Sequence, residues 1–486
     1  MLTLTRLSPG AATMRSRLTL AVLASIPLFA VMGACTSQPP SGGDDDAGTH
    51  RPDVAQLDGG GFDAGFRQDA HDGIDASLDA GDSAVVDAGP GCFFPFIPAG
   101  WRRVECGCCD LWAPESLEDI PPIEWESCAY DGSVDCRIMR ITWTDGIARF
   151  NVARMTTDSE GRPLLAFHRY PVDGDGRLWV LAEADGDVVN AILEPQARTG
   201  CAIANHDLND GRYLIDIFGN ARTGRVDCHS AHILTGEVGK EPRHLWQEID
   251  APKELGAWSS FSRDLVVQWF LGRVEATDWQ MQGRQVIYSA GIDPDGLTPY
   301  ERTVIGTSVF IVVSAGGNSG IVSWTPEDGP RNLLRWPGDD SRGASNLGTD
   351  GEVMVWTYGE GKPPGGWYHD YASFSIMTAP FTTDPAQLEA TSRRVRAEIG
   401  GQLVGRSESW KVGCGFAARG AFRANGLVVV RLADGAAWFL PTVSGLSWGE
   451  TLGVTCEEIF TIAQTPRGDL VARVKIDSLG APLPPD

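Results

Sequence analysis

Three shortages bound this chain before any motif is considered. Positive charge is scarce: 486 residues carry 40 Lys and Arg against 64 Asp and Glu, a formal net charge of −24. A surface of that sign repels phosphate backbones, which excludes nucleic acid as a partner. Long apolar runs are also missing beyond the N-terminus. The best uncharged stretch, Thr303–Pro326, has Gly316-Gly317-Asn318-Ser319-Gly320 at its centre, which is turn chemistry and not a bilayer span. Helical periodicity is the third shortage. Only Asp384–Ala397, with Asp384 and Pro385 as a start signal, is expected to be helical.

What the chain does contain begins at Arg15 and Arg17, followed by the apolar run Leu18–Val31 and then Met32-Gly33-Ala34-Cys35. Basic residues, a short apolar run broken by Pro27 and small residues before a cut make a secretory signal. The ending resembles that of bacterial lipoproteins, with Met32 where the family has Leu. The resemblance implies removal of residues 1–34, fatty acylation of Cys35 and, because Thr36 rather than Asp follows, delivery to the outer membrane. Arg6, Arg15 and Arg17 leave with the signal, which takes the mature chain from −24 to −27.

Residues 35–91 read as the lipid anchor and an acidic tether. After Cys35 they hold twelve Asp, no Glu and only Arg51 and Arg67 as bases, with Asp-Ala-Gly at Asp46, Asp63, Asp79 and Asp87. Like charge and low hydrophobicity cannot offset the entropy of folding, so disorder is expected. No spaced calcium loop is present. Such tethers resemble those of uncharacterised myxobacterial lipoproteins.

Ten cysteines remain after Cys35, an even number that in an exported chain favours disulfides over zinc. Six lie in a cysteine-rich cap, 92–136: Cys92, Cys106, Cys108, Cys109, Cys128 and Cys136. They are expected to pair among themselves, in a connectivity that sequence cannot choose. Cys201 with Cys228, and Cys414 with Cys456, are the other expected pairs.

Residues 137–486 read as β throughout. Apolar runs of four to eight residues alternate with Gly, Asp, Pro and Asn clusters. Leu164–Tyr170 with Leu178–Glu183, Leu427–Leu432 with Ala436–Leu440, and a pair flanking Asp293-Pro294-Asp295-Gly296 read as hairpins. A faint repeat sets a glycine before a turn and a strand. Its starts are Asp145, Thr199, Leu255, Ile305, Leu347, Val412 and Leu452, spaced 54, 56, 50, 42, 65 and 40 residues. Trp143, Trp324 and Trp356 end strands before acidic turns. Periods near ~40–50 residues predict an all-β β-propeller of six or seven blades, with a pair of β-sandwiches as the other all-β arrangement.

No catalytic constellation stands out. Gly317-Asn318-Ser319-Gly320-Ile321 resembles the nucleophile loop of chymotrypsin-like proteases, but Ile321 replaces the last glycine and no histidine has the family's setting; a tight turn explains it better. His206, Asp207, His229 and His232 could in principle bind zinc. On a strand, however, His229 and His232 would diverge. Thr156–Gly161 comes near the Asp-box of sialidases with its glycine one residue late. No cofactor, metal site or catalytic residue is assigned. The expected function is that of a lipid-anchored binding or scaffolding module for a protein or polysaccharide. The alternative is an extracytoplasmic glycan hydrolase or lyase, which a tight carboxylate pair at the channel mouth would favour.

Overall fold

The computed structural model describes residues 99–485 apart from short stretches, the longest being 106–110, 141–152, 170–175, 196–200, 220–230, 249–257, 363–370, 398–408 and 422–425. Cys35, the tether and Cys92, Cys106, Cys108, Cys109 and Cys228 lie outside the described residues.

Seven antiparallel sheets follow one another along the chain. Two N-terminal hairpins come first, β1 (Trp101–Glu105) with β2 (Leu111–Pro114), and β3 (Glu124–Ser127) with β4 (Cys136–Arg140). Blade 1 is β5 (Ala153–Thr157), β6 (Pro163–Arg169), β7 (Gly176–Glu183) and β8 (Val188–Pro195). Blade 2 is β9 (Cys201–Asn209), β10 (Arg212–Gly219), β11 (Ala231–Glu237) and β12 (Arg243–Glu248). Blade 3 is β13 (Trp258–Phe261), β14 (Val266–Phe270), β15 (Arg273–Thr277) and β16 (Gln285–Ser289). Blade 4 is β17 (Thr298–Ile305), β18 (Ser308–Ala315), β19 (Asn318–Thr325) and β20 (Gly329–Leu334). Blade 5 is β21 (Arg342–Thr349), β22 (Val353–Glu360), β23 (Ser373–Pro380) and β24 (Arg393–Ala397). Blade 6 is β25 (Lys411–Gly413), β26 (Phe416–Ala421), β27 (Gly426–Arg431) and β28 (Ala437–Pro441). Blade 7 takes β29 (Ser447–Val454), β30 (Glu458–Thr465) and β31 (Gly468–Lys475) from the C-terminal end.

The first strand of each blade packs against the first strand of the next, and β29 packs against β5, so the ring closes. The protein is a seven-bladed β-propeller. Middle strands are sandwiched between neighbouring blades and lose the usual alternation: Val309-Phe310-Ile311-Val312-Val313 in β18 is buried throughout. Trp324 and Trp356 are buried between blades as well.

The described strands of the cysteine-rich segment 92–136 join the sheets of the ring. β2 pairs with β8 and so extends blade 1, while β4 pairs with β31 and completes blade 7, with β3 outside it. One N-terminal segment thus clasps both sides of the ring's closure. The Trp125 indole donates to the Ala184 carbonyl at 2.6 Å between the two ends of the clasp.

Three sequence expectations change. The helix α1 is only Pro385–Thr391: Asp384 caps it by accepting from Ala386 N, and Arg393–Ala397 instead supplies the fourth strand of blade 5. Asp293–Gly296 joins blade 3 to blade 4 and is not a hairpin within a sheet. The repeat counts the blades correctly but marks different points along them. Its first three starts precede the inner strand. The later four fall at the end of the inner strand or within it: Gly306 closes the β17–β18 turn, and Gly348, Gly413 and Gly453 lie in β21, β25 and β29.

The reason for those last three glycines is contact. A Cβ on Gly348 would overlap the Trp410 carbonyl, one on Gly413 the Val454 carbonyl, and one on Gly453 the Met155 sulfur. Each glycine therefore permits the next blade's chain to come close. Cys414 and Cys456 sit just beyond two of these strands and are joined by a disulfide, with Cα atoms 5.0 Å apart, which links blades 6 and 7. Cys128 and Cys136 form a second disulfide across the β3–β4 turn, with Cα atoms 5.5 Å apart. Cys201 opens β9 opposite Gly219; its side chain is outside the described residues.

Candidate functional site

The inner strands converge on the propeller axis and bring charged residues with them. Arg154 on β5 pairs with Glu450 on β29 at 3.3 Å. Asp207 on β9 accepts from the Leu208 amide at 3.0 Å and from the Phe261 amide of β13 at 3.2 Å. Burial pushes the Asp207 carboxyl up, and Arg154, Arg302 and the two amides pull it back only in part. Arg302 on β17 is pulled down to about 10 by burial, against the attraction of Asp207 and Asp216, and so stays charged at neutral pH. Asp216 on β10 accepts from the Ser259 amide of β13 at 2.7 Å.

Glu301 precedes Arg302, and neighbours on a strand face opposite ways. While Arg302 feels the acids of blade 2, Glu301 takes the Ser409 hydroxyl and the field of Lys411 and Arg419 from blade 6. Burial pushes its carboxyl up despite them. Its Oε2 has no hydrogen-bond partner among the described residues. Glu301 thus keeps one carboxylate oxygen without a hydrogen bond among the described residues. A glycosidase needs a second carboxylate poised across the substrate. The groups that act on Glu301 are a hydroxyl and two cations, and those that act on Asp207 are amides and guanidinium groups.

The motifs singled out in the sequence come apart in space. Ser319 lies inside β19 opposite Ser314, while His168 and His206 lie in blades 1 and 2. His206 and His232 are on β9 and β11, with β10 between them, and His229 is outside the described residues. No group of metal-ligating side chains occurs among the described residues. Thr156–Gly161 ends β5 and turns into β6. There Asp158 accepts from the Glu160 and Arg162 amides at 2.9 and 2.8 Å, which is a turn-stabilising role. Sequence reasoning did not single out Arg154, Glu301, Arg302 or Glu450. The available signal was charge inside a strand, Tyr300-Glu301-Arg302-Thr303 above all. It becomes readable only when that strand is known to be innermost.

No protein-family model and no curated protein matches the chain. Solved structures do. A prolyl endopeptidase structure aligns with 71% of this chain at 11% identity and a TM-score of 0.42, and the alignment spans 55% of that protein's length. The β-propeller domain of the Trilobed protease from Pyrococcus furiosus aligns with 60% of this chain and 82% of its own length, at 9% identity and a TM-score of 0.35. A chain of a nidogen–laminin complex aligns over 58% of this chain and 93% of its own, at 12% identity and a TM-score of 0.33. These likenesses concern fold alone; the chain is an all-β, seven-bladed propeller whose axial charges bind one another and the neighbouring backbone.

Proposed function

We propose that this protein is a lipid-anchored, extracytoplasmic binding or scaffolding module. Acylated Cys35 fixes it to the outer membrane, and the acidic tether 36–91 spaces the propeller from the lipid. The ligand is a protein or a polysaccharide. The observation that carries the reading is the commitment of the axial charges. Arg154 is spent on Glu450, Asp207 accepts from the Leu208 amide of its own strand and the Phe261 amide of blade 3, and Asp216 accepts from the Ser259 amide of blade 3. A site organised for bond cleavage keeps an acid and a base directed at substrate. The anchor rests on Gly33-Ala34-Cys35 behind an apolar run and on the resemblance to bacterial lipoproteins of the myxobacterial type.

Two measurements test the two halves of the reading. Cys35→Ser protein should leave the membrane fraction or accumulate as precursor; mature-sized protein still sedimenting with membranes would defeat the anchor. Purified full-length protein should bind envelope polysaccharides or surface proteins saturably without altering them. New reducing ends or unsaturated sugars appearing in the bound glycan would transfer the assignment to a hydrolase or lyase, with Glu301 as the first residue to replace.

A further inference from the structure

Two imidazoles lie buried face to edge across the seam between blades 1 and 2. His168 projects from β6 and His206 from β9, with ring centroids 5.3 Å apart and planes at 89°. Both rings are essentially without solvent exposure, at 1% and 0%. The His206 Nε2 lies 3.2 Å from the Ala166 carbonyl of blade 1. A carbonyl only accepts, so Nε2 carries the proton and Nδ1 is the bare lone pair. That Nδ1 is buried with no hydrogen-bond partner among the described residues. The Trp179 indole stands 6.1 Å from the His206 ring, and Tyr213 packs on Trp179 at 5.1 Å.

The charges around His206 are arranged to keep it neutral. The Arg154 guanidinium of β5 opposes a charge on His206, as does His168. Its own partner, Glu450 of β29, is occupied by it. Asp207 is next to His206 in sequence and therefore on the other side of β9, where it binds the Phe261 amide. Asp216 of β10 binds the Ser259 amide of the same blade, and Arg302 of β17 faces those two acids. A proton arriving on Nδ1 would therefore find no acceptor among the described residues, and would meet the repulsion of His168 and the Arg154 guanidinium. Burial, His168 and Arg154 together hold His206 well below the ordinary imidazole range.

We propose that His206, packed on His168, is an acid-operated latch in the ring: with the His206 imidazole neutral, blades 1 and 2 are closed on one another, and its protonation opens that seam before the other seams yield. The open state exposes the His206 imidazole to water, restores its ordinary affinity for protons and is therefore the form that acid selects. Stability at this seam is complete above the ordinary imidazole value of about 6.5 and declines as pH falls below it, by up to about tenfold in closing equilibrium per pH unit.

Hydrogen exchange of the full-length protein, read by mass spectrometry near pH 7.5 and near pH 5, tests the proposal. After correction for intrinsic rates, peptides from 153–169 and 201–219 should lose roughly tenfold or more of their protection at the acid value, while 308–325 and 426–431 change less than about twofold. His206→Gln, which keeps an N–H for the Ala166 carbonyl and cannot be protonated, should remove most of the regional difference. Uniform loss of protection around the ring, or a regional loss that His206→Gln leaves intact, overturns the latch. If His206→Gln does not fold, the C2-proton exchange of each imidazole in the unaltered protein decides. His206 titrating at or above about 6.5 refutes the proposal, and titration well below it, in step with the loss of amide protection, supports it.

Discussion

The seams of the ring fall into two arcs that achieve closeness by opposite means. From blade 5 round to blade 1, side chains are left out. Gly348, Gly413 and Gly453 let backbone or sulfur of the next blade occupy the place of a Cβ. From blade 1 to blade 5, side chains reach over and bind the neighbour's backbone. His206 takes the Ala166 carbonyl, Asp207 and Asp216 take the Phe261 and Ser259 amides, Ser262 takes the Gly306 carbonyl, and Ser323 takes the Thr383 carbonyl. The first arc leaves little room for added atoms at these glycines, although Arg154–Glu450 and the Arg393 and Arg396 guanidinium groups also cross it. The second tolerates modest changes of size and depends on the state of each polar group. One architecture therefore combines an arc marked by recessed inner-strand glycines with an arc marked by side-chain bonds to the neighbouring backbone.

That contrast can be broken or sharpened by substitution, with denaturant unfolding of the full-length protein as the common measurement. The largest effect is expected from the steric arc's covalent tie. Cys414→Ser removes a bond closing 42 residues and should cost about 4 kcal/mol in the chain-entropy picture. Reductant should cost the unaltered protein at least this much, and should cost the variant only what the remaining bridges, Cys128–Cys136 among them, contribute. Gly348→Val comes next, at about 3 kcal/mol, because the atom in the way is the Trp410 carbonyl, which cannot rotate aside. A loss under about 1 kcal/mol would mean that blades 5 and 6 do not approach as described. In the polar arc, Asp216→Ala should cost about 2 kcal/mol by stranding the Ser259 amide, and Asp216→Asn should recover much of it. The smallest change is Gly453→Ala, at about 1 kcal/mol or less: its obstacle is the thioether of Met155, which is flexible and can yield. Equal losses for Gly348→Val and Gly453→Ala would show that close packing alone does not define the steric arc.

The steric arc was also the legible one. Gly348, Gly413 and Gly453 recur in sequence because the same contact recurs in space, and a residue type that geometry demands leaves a trace in the chain. What the trace could not convey was its register. A glycine at the far end of an inner strand looks the same as one that opens a blade, and Asp293–Gly296 has hairpin chemistry although it crosses between blades. The helix stopped short because Arg393–Ala397 has an edge of blade 5 to cover, which local propensity does not reveal. The axial residues were hidden for a deeper reason. Arg154 meets Glu450 across 296 residues of chain, and Arg302 feels Asp207 from two blades away, so neither partner is marked by its neighbours in sequence. The pairing of Cys414 with Cys456 could be drawn from spacing because both follow the recurring glycine, while Cys128 and Cys136 were two of six with no such ruler.

The N-terminal clasp gives the ring a direction in which it is pulled apart. Tension arriving from upstream of Trp101 reaches the open end of the β1–β2 hairpin, where Trp101 is matched with Pro114, and separates it one residue pair at a time. Among the described residues, Trp112 opposite Leu193 then holds β2 in the strand ladder of blade 1. The load next crosses to β3 and β4, where the Cys128–Cys136 bridge passes it directly between the two strands and spares the turn. Failure is therefore graded, with the β1–β2 hairpin lengthening the chain before the load reaches blade 7 through β4.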